Sequence, residues 1–317
     1  MKLSIIIPTK DRNEILQRTI NSLVEAISGT DAEILIVNDS AVPIKLKENN
    51  SGIKILSNSK SGAASARNTG VRQSTGDLLL FLDDDILINK SNILKTLSLH
   101  QNSMKSAFNF FWLYPPDLIE ALPQSSLGRY VLKHLLFTNS HRVKINGNTN
   151  ELIAANGLTS QYFSILKSDF LLSGGYNENI PYAGSEDLIL YRELKKNGLE
   201  VYISPSDIVF QNESDRLKLH SMLERSRSGA LTLRMAEKIG YPVAVKFPKT
   251  KQLVYSIFVH IKPLIYKLTM KIPNKRAFDF IYFKVVNLLL GLSFYEGYVM
   301  NSKKHVDPET IRTKPAQ

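Results

Sequence analysis

The chain has 317 residues, a formal net charge of +11 and no cysteine. That length fits one large domain or one domain with an appendage, and it can bury a full hydrophobic core without staples. The absence of Cys excludes a disulfide scaffold, a Cys-ligated metal centre and thiol catalysis, and 43% hydrophobic with 22% charged residues excludes a disordered chain.

Leu3–Ile7 is an apolar run ending at Pro8, which predicts a strand buried on both faces. It is too short for the core of a signal peptide, so the chain is expected to begin with a strand in a cytoplasmic protein. Ile15, Leu16, Thr19, Ile20, Leu23 and Ile27 recur at helical spacing. Glu33–Val37 and Ile53–Leu56 predict two more strands, and Ser61–Gln73 a helix rich in small residues. Leu78–Leu82 predicts a fourth strand running straight into Asp83-Asp84-Asp85. Strands alternating with helices imply βαβ units and a mostly parallel sheet. The fold class is therefore α/β, with a ligand site expected beyond the carboxyl ends of the strands. Pro8–Arg12, Asp39 and the aspartate triplet all follow strands at that edge.

Residues 101–156 read as less regular, broken by Pro115, Pro116 and Pro123, with a turn at Asn146-Gly147-Asn148. Thr159–Leu166 predicts a strand rejoining the sheet, and Gly174-Gly175-Tyr176-Asn177 a turn. A helix is expected from about Ser185 to Asn197-Gly198, a short strand at Val201–Ile203, and a helix from Leu217 to about Ile239.

The charge is uneven. Residues 1–215 carry 21 Lys+Arg against 23 Asp+Glu; residues 216–317 carry 19 against 6. The whole excess sits in the last third, which suits nucleic acid, an anionic membrane or a Lys-rich solvated surface. Nine Lys and Arg and no acid lie between Glu237 and Asp279. There Leu253, Val254, Ile257, Phe258, Ile261, Leu264, Ile265, Leu268 and Ile272 recur on one helical stripe, edged by His260, Lys267 and Lys271, with Pro263 expected to kink or split the helix. The pattern predicts peripheral attachment to an anionic membrane surface, the alternative being a helical hairpin packed on the body. No stacking platform for nucleic acid is visible. No stretch reaches the roughly 20 apolar residues of a spanning helix. The expected division is a catalytic domain over 1–240 and a basic helical region over 241–317.

Three groups carry chemistry. Three adjacent carboxylates repel one another and call for a cation or solvation; Asp83 and Asp85 share a face if the chain stays extended, which suits Mg²⁺ or Mn²⁺ gripping phosphate oxygens. The alternative is an acidic loop capping a helix near Ser91. Glu186-Asp187 opens a predicted helix whose dipole keeps a carboxylate ionised, as a general base requires; acids are also common at ordinary helix starts. Arg67, in the small-residue helix, is placed to bind phosphate or base, or to neutralise the triplet. Arg225 and Arg227, with Ser228-Gly229, are a weaker phosphate candidate, the alternative being a solvated helix face.

These pieces resemble the family 2 glycosyltransferases, which have the GT-A fold. The matching stretches are Ile5-Ile6-Ile7-Pro8-Thr9, Val37-Asn38-Asp39-Ser40, Ala64 to Gly70, Leu80 to Asp85, Gly174-Gly175-Tyr176 and Glu186-Asp187, in the family's order across about residues 1–230. The resemblance implies an inverting, metal-dependent enzyme taking a nucleotide-sugar donor, UDP-linked, with Mn²⁺ or Mg²⁺. It assigns Pro8, Thr9, Arg12, Asp39, Arg67, Asp83, Asp84, Arg225 and Arg227 to the donor, Asp85 with Asp83 to the metal, Asp187 to the base, and Glu186 to its support. The acceptor would be a glycan or a lipid-linked glycan in surface polysaccharide synthesis, at the inner face of the cell membrane. Where many relatives carry a metal-binding His after the late strand, this chain has Gln211, with His220 as a substitute. The Gln-x-x-Arg-Trp signature of processive synthases is absent, the sole Trp being Trp112, which implies single addition. The rival readings are a nucleotidyltransferase on a related sheet and an inactive nucleotide-binding module recruited to membranes.

Overall fold

The computed structural model describes residues 1–47, 52–102, 105–139, 151–180, 183–241, 245 and 247–300. The turn expected at Asn146-Gly147-Asn148 lies outside the described residues. In chain order the elements are β1 (Leu3–Thr9), α1 (Asn13–Ala26), β2 (Ala32–Asn38), β3 (Ile53–Ser57), α2 (Ala63–Gln73), β4 (Leu78–Leu82), β5 (Ile86–Leu87), α3 (Lys90–Asn102), β6 (Ser106–Leu113), α4 (Pro116–Ala121), α5 (Ser126–Lys133), β7 (Ile153–Ala154) and β8 (Tyr162–Leu166). They continue with α6 (Lys167–Leu172), α7 (Glu186–Lys196), β9 (Glu200–Gln211), α8 (Leu219–Lys238), α9 (Lys249–Phe258), α10 (Lys262–Thr269) and α11 (Asp279–Tyr298). The chain forms two compact units: Met1–Glu120 with Leu135–Asn179 and Glu186–Asp215, and Ala121–His134 with Ile180–Ser185 and Arg216–Gln317.

Among the described residues, nine strands lie in the first unit, in one sheet ordered β3-β2-β1-β4-β8-β6-β9-β5, with β7 paired to β9. β1 to β4 are parallel, β8 enters antiparallel between β4 and β6, and β6 and β9 run parallel to each other. This is the mixed α/β architecture expected. β1 and β4 occupy the middle and read as continuous apolar runs because helices cover both faces. The Ile5, Ile7, Leu78 and Leu80 side chains join Leu16, Ile20 and Leu23 of α1 in one core. Those of Ile6, Leu79 and Phe81 join Ala64, Ala66 and Val71 of α2 in the other. Small residues in α2 bring it close to β1: a Cβ on Gly70 would lie 2.4 Å from Ile6 Cγ2.

Several elements depart from the sequence reading, among them two long strands. The irregular stretch contains β6, whose run Ser-Ala-Phe-Asn-Phe-Phe-Trp-Leu is mostly buried. β9 spans twelve residues rather than three, because Pro205-Ser206-Asp207 forms a bulge between the Phe110↔Ser204 and Phe111↔Ile208 pairs. Proline cannot donate to a ladder, which places it at such an irregularity.

The second unit is helical. Leu219, Met222 and Leu223 of α8 pack with Tyr130 of α5 and with Tyr282, Phe283, Val286 and Leu289 of α11. A Cβ on Gly297 would lie 2.1 Å from the Arg227 carbonyl oxygen, so the two long helices cross at backbone contact. Arg129 grips Asp279 with two bonds of 2.7 Å, and Lys262 pairs with Glu296 at 2.5 Å. α8 lies in the helical unit, where it shares its core with α11. Pro263 sits in the first turn of α10, after a 3₁₀ turn at Val259–Ile261, the split its ring predicts. Among the described residues one helix, Arg276–Tyr298, is long and apolar enough to cross a membrane by length and composition; it exceeds the sequence expectation, and its Val286, Leu289 and Leu292 are buried in the unit's own interior.

Candidate functional site

The chain turns where the aspartate triplet begins. Ile86 N–H donates to the Asp83 carbonyl at 3.2 Å, so extension ends at Leu82 and the three carboxylates diverge. Asp83 accepts 2.9 Å from Arg67. Asp84 is buried and spent on structure: it accepts 2.7 Å from the Thr9 hydroxyl and pairs with Arg12, while its carbonyl accepts 2.7 Å from the Thr19 hydroxyl. Asp85 is 3% exposed; Oδ2 accepts 3.0 Å from Arg12, and Oδ1 is buried with no hydrogen-bond partner. Burial, reinforced by Asp84 and opposed by Arg12, pushes the Asp85 carboxyl well above the usual carboxylate range. Asn89 Oδ1 accepts from the Asn92 N–H at the start of α3, 3.1 Å, so that helix is capped without the aspartates.

Arg12 gathers the site from the other side. It is buried, bridges Asp84 and Asp85, and makes bonds of 3.0 and 2.9 Å to Asp215. Burial alone would lower its proton affinity; the Asp215 bonds and the two aspartates outweigh that and raise it. The segment after β9 thus joins the cluster: the Asn212 N–H donates to the Asp85 carbonyl at 2.7 Å, and Tyr114 donates to Glu213 at 2.8 Å. Glu213 and Asp215 are residues the sequence reading missed. The available signal was the same one used for Asp39 and Asp83, an acid just beyond a strand, hidden here by the underestimated length of β9. Gln211 ends that strand, paired with Ile86; His220 lies on α8 in the second unit.

Asp39 fastens the loop before α2. Its Oδ1 accepts from Asn58 at 2.8 Å and from the Gly62 N–H at 2.9 Å, and its Oδ2 from Ser61 at 3.0 Å. Asp11 adopts φ 55° and its carboxylate accepts from the Ser40 hydroxyl, tying the β1 loop to the β2 loop. Pro8 is the penultimate residue of β1, in register with Val37.

Arg67 joins the two acidic centres. From α2 it donates to Asp83 and, at 3.1 Å, to Glu186 at the first turn of α7; its guanidinium carbon lies 5.3 Å from the Tyr176 ring centroid. Asp187 is half-buried. Its Oδ2 accepts 3.0 Å from the Ser160 N–H and its Oδ1 accepts from the Ser160 hydroxyl, which also meets the Tyr176 hydroxyl at 2.7 Å. Burial, with Glu186 beside it, raises the Asp187 carboxyl above its ordinary value, against the pull of Arg67 and Ser160. Ser160 and Tyr176 were not assigned from sequence; only Tyr176 carried a signal, in its Gly-Gly-Tyr turn. Arg225 and Arg227 lie on α8 in the second unit, where Arg227 pairs with Glu224 at 2.6 Å.

The donor set can be tested against a divalent cation. Among the described residues no three His, Cys, Asp or Glu side chains gather as a metal cage. Asp85 Oδ1 is nevertheless a buried, unpartnered carboxyl oxygen. Mg²⁺ and similar ions bind through one or two carboxylates when substrate phosphates supply the rest, so the residues fit an ion completed by a diphosphate rather than a closed protein cage.

The model of the family described as "Glycosyl transferase family 2" matches residues 4–161. The chain is 25% identical over 224 residues to validoxylamine A glucosyltransferase of Streptomyces hygroscopicus subsp. limoneus, covering 64% of this chain and 49% of that one. It is 29% identical over 126 residues to poly(ribitol-phosphate) beta-N-acetylglucosaminyltransferase TarP of Staphylococcus aureus strain N315, covering 37% of this chain and 35% of that one. It therefore spans about half or less of these relatives. Among solved structures, mannosyltransferase PcManGT from Pyrobaculum calidifontis, in complex with GDP-Man and Mn²⁺, aligns with TM-score 0.55 at 10% identity, over 96% of this chain and 88% of that one. GalNAc-T7 with UDP, GalNAc and Mn²⁺ aligns with TM-score 0.50 at 12% identity, over 86% and 58%. At such identities the likeness establishes the GT-A fold, and together with the family match it places the chain in glycosyl transferase family 2.

Proposed function

We propose that this protein is an inverting glycosyltransferase, moving one sugar at a time from a nucleotide-sugar donor, UDP-linked, to a hydroxyl of a glycan or lipid-linked acceptor in surface polysaccharide synthesis. The observation that carries the reading is the pair of hydrogen bonds that Arg67 donates, one to Asp83 and one to Glu186. One guanidinium holds Asp83 at the end of β4 beside Glu186 at the start of α7, which supports reading the two acidic groups as parts of one site.

Asp187 is the base. Its two oxygens are held by Ser160, and its raised carboxyl suits proton transfer near neutral pH. The acceptor oxygen attacks the anomeric carbon from the Asp187 side as its proton passes to the Asp187 carboxylate. On the opposite face the bond to the diphosphate breaks, its electron pair staying on the phosphate oxygen. Configuration at the anomeric carbon inverts. Arg67 and Glu186 keep α7 and the β4 edge in register through the displacement. Asp39, with Pro8 and Thr9, borders the base-binding side, and Arg12 keeps Asp84 and Asp85 in place. A divalent ion, Mn²⁺ or Mg²⁺, would be held by Asp85, with Asp83 and Glu213 nearby in the cluster, and would neutralise charge on the departing diphosphate. Arg225 and Arg227 are proposed to contribute to diphosphate binding. Work on a lipid-linked acceptor sets the enzyme at the cytoplasmic face of a membrane.

The test is a screen of nucleotide sugars for donor hydrolysis and binding, run with Asp187→Asn alongside. The variant should lose transfer by at least about a hundredfold, the usual contribution of a positioned base, while binding the nucleotide as the parent does. An active Asp187→Asn protein refutes the assignment.

A further inference from the structure

The second unit leaves one face of its C-terminal helices uncovered. In α9, the following 3₁₀ turn and α10, Leu253, Ile257, Ile261, Leu264 and Leu268 are 66, 61, 45, 56 and 55% exposed. Leu253 and Ile257 of α9, and Leu264 and Leu268 of α10, lie four residues apart and so on one face of their own helix. The opposite face is used: Val259 and Thr269 are buried, Ile265 and Tyr266 pack on the α8–α11 core, Tyr255 stacks edge-on to Tyr295 at 6.0 Å, and Lys262 is paired with Glu296. The helices are thus held firmly from behind, with their apolar stripe turned out. Phe280, at the start of α11, is exposed as well, at 66%. Isolated exposed apolar residues are ordinary, but a contiguous stripe of this kind marks an interaction surface.

We propose that this stripe is a docking face for an anionic lipid surface, holding the protein peripherally. Charge selects the occupant. The exposed Lys249, Lys251, Lys267, Lys271, Lys275 and Arg276 accompany the stripe, and no acidic residue lies from 238 to 278. A second copy docked on the same face would set these cations against their own kind. Anionic headgroups complement them, while the lysine stems lie along the apolar surface and the side chains above them enter the acyl boundary. The inference stands apart from the transferase reading, since vesicle binding and donor turnover are measured separately.

The test uses the full chain, floated with vesicles of phosphatidylcholine alone or mixed equally with phosphatidylglycerol. The protein should float with the anionic vesicles and not with the neutral ones, and lose flotation in high salt. Ile257→Glu with Leu264→Glu should abolish flotation; Lys267→Ser with Lys271→Ser should weaken partitioning about 30-fold. All four side chains are exposed, so the thermal unfolding midpoint of each double variant should match the parent. Absence of flotation, or equal flotation of the glutamate variant, overturns the proposal. So does a concentration-dependent dimer that the glutamate pair dissolves, which gives the face to a second copy. Retention on vesicles through an alkaline carbonate wash also overturns it, because α11 would then be an integral anchor.

Discussion

Ser160→Ala removes one of the two hydrogen bonds that the Asp187 carboxylate accepts from that residue: the hydroxyl goes, while the N–H bond to Oδ2 of 3.0 Å stays. Bonds from Ser160 favour the charged carboxylate and hold down a carboxyl that burial and Glu186 push up. A hydrogen bond to a charged group contributes roughly 1.5–3 kcal/mol. With the backbone bond still in place, the lower figure applies, and it corresponds to about one pH unit. The sign follows directly: losing a bond to the ionised form raises the carboxyl further. The assay is kcat/KM against pH for the best donor in the screen. In the parent the acidic limb, set by protonation of the free base, should lie above the usual carboxylate range. In Ser160→Ala it should move up by about one unit, with the alkaline plateau changed only a few fold. A limb that stays in place while the plateau collapses, or one that moves down, refutes the view that Ser160 tunes Asp187.

Asp85→Ala should reduce UDP binding in the presence of Mn²⁺ to the level measured with chelator, by titration calorimetry; an unchanged metal response removes Asp85 from the ligand set. Gly70→Ala forces a Cβ to within 2.4 Å of Ile6 Cγ2 and should destabilise the first unit by about 1–3 kcal/mol, read as a lower denaturation midpoint. Glu33 is buried in β2; burial raises its carboxyl, but bonds from Ser4, the Thr75 N–H and Lys54 outweigh this and lower it to about 2. A depressed carboxyl contributes stability that is fully present above the unfolded value near 4.5 and is lost as pH falls toward about 2. Glu33→Gln should therefore lower stability at neutral pH by up to about 3 kcal/mol and flatten its decline across that window.

The parallel half of the sheet was legible because its strands are short, apolar and closed by breakers. β4 is the clearest case: Leu78–Leu82 is bounded by Asp77 and Asp83, and its expected limits coincide with the observed ones. The antiparallel half was not, since β6 is defined by partners more than fifty residues away, and β9 hides behind its own proline. Position was easier to read than duty. Three identical aspartates in a row carry no local mark of which is structural; the turn after Leu82, not the alternation of an extended strand, sends Asp83 to Arg67, buries Asp84 under Thr9 and Thr19, and leaves Asp85 with an idle oxygen. Arg67 was placed correctly near the triplet, but its second partner belongs to α7, and no spacing in the sequence could couple residues 67 and 186. Ser160 is an ordinary serine until Asp187 is folded against it.

The crossing of α8 and α11 has a consequence for how the chain is made. α8 starts at Leu219 and α11 at Asp279, so on a ribosome working at about 5–20 residues per second the first helix waits several seconds for the second. Throughout that interval Leu219, Met222 and Leu223 have no α11 to cover them. The sheet unit, by contrast, has all its strands once Gln211 is out. Expression yield should therefore depend on the last third of the sequence more than on the first two-thirds. Chaperone demand, and the damage done by a premature stop anywhere before the Gly297 contact, should concentrate in that final stretch of synthesis.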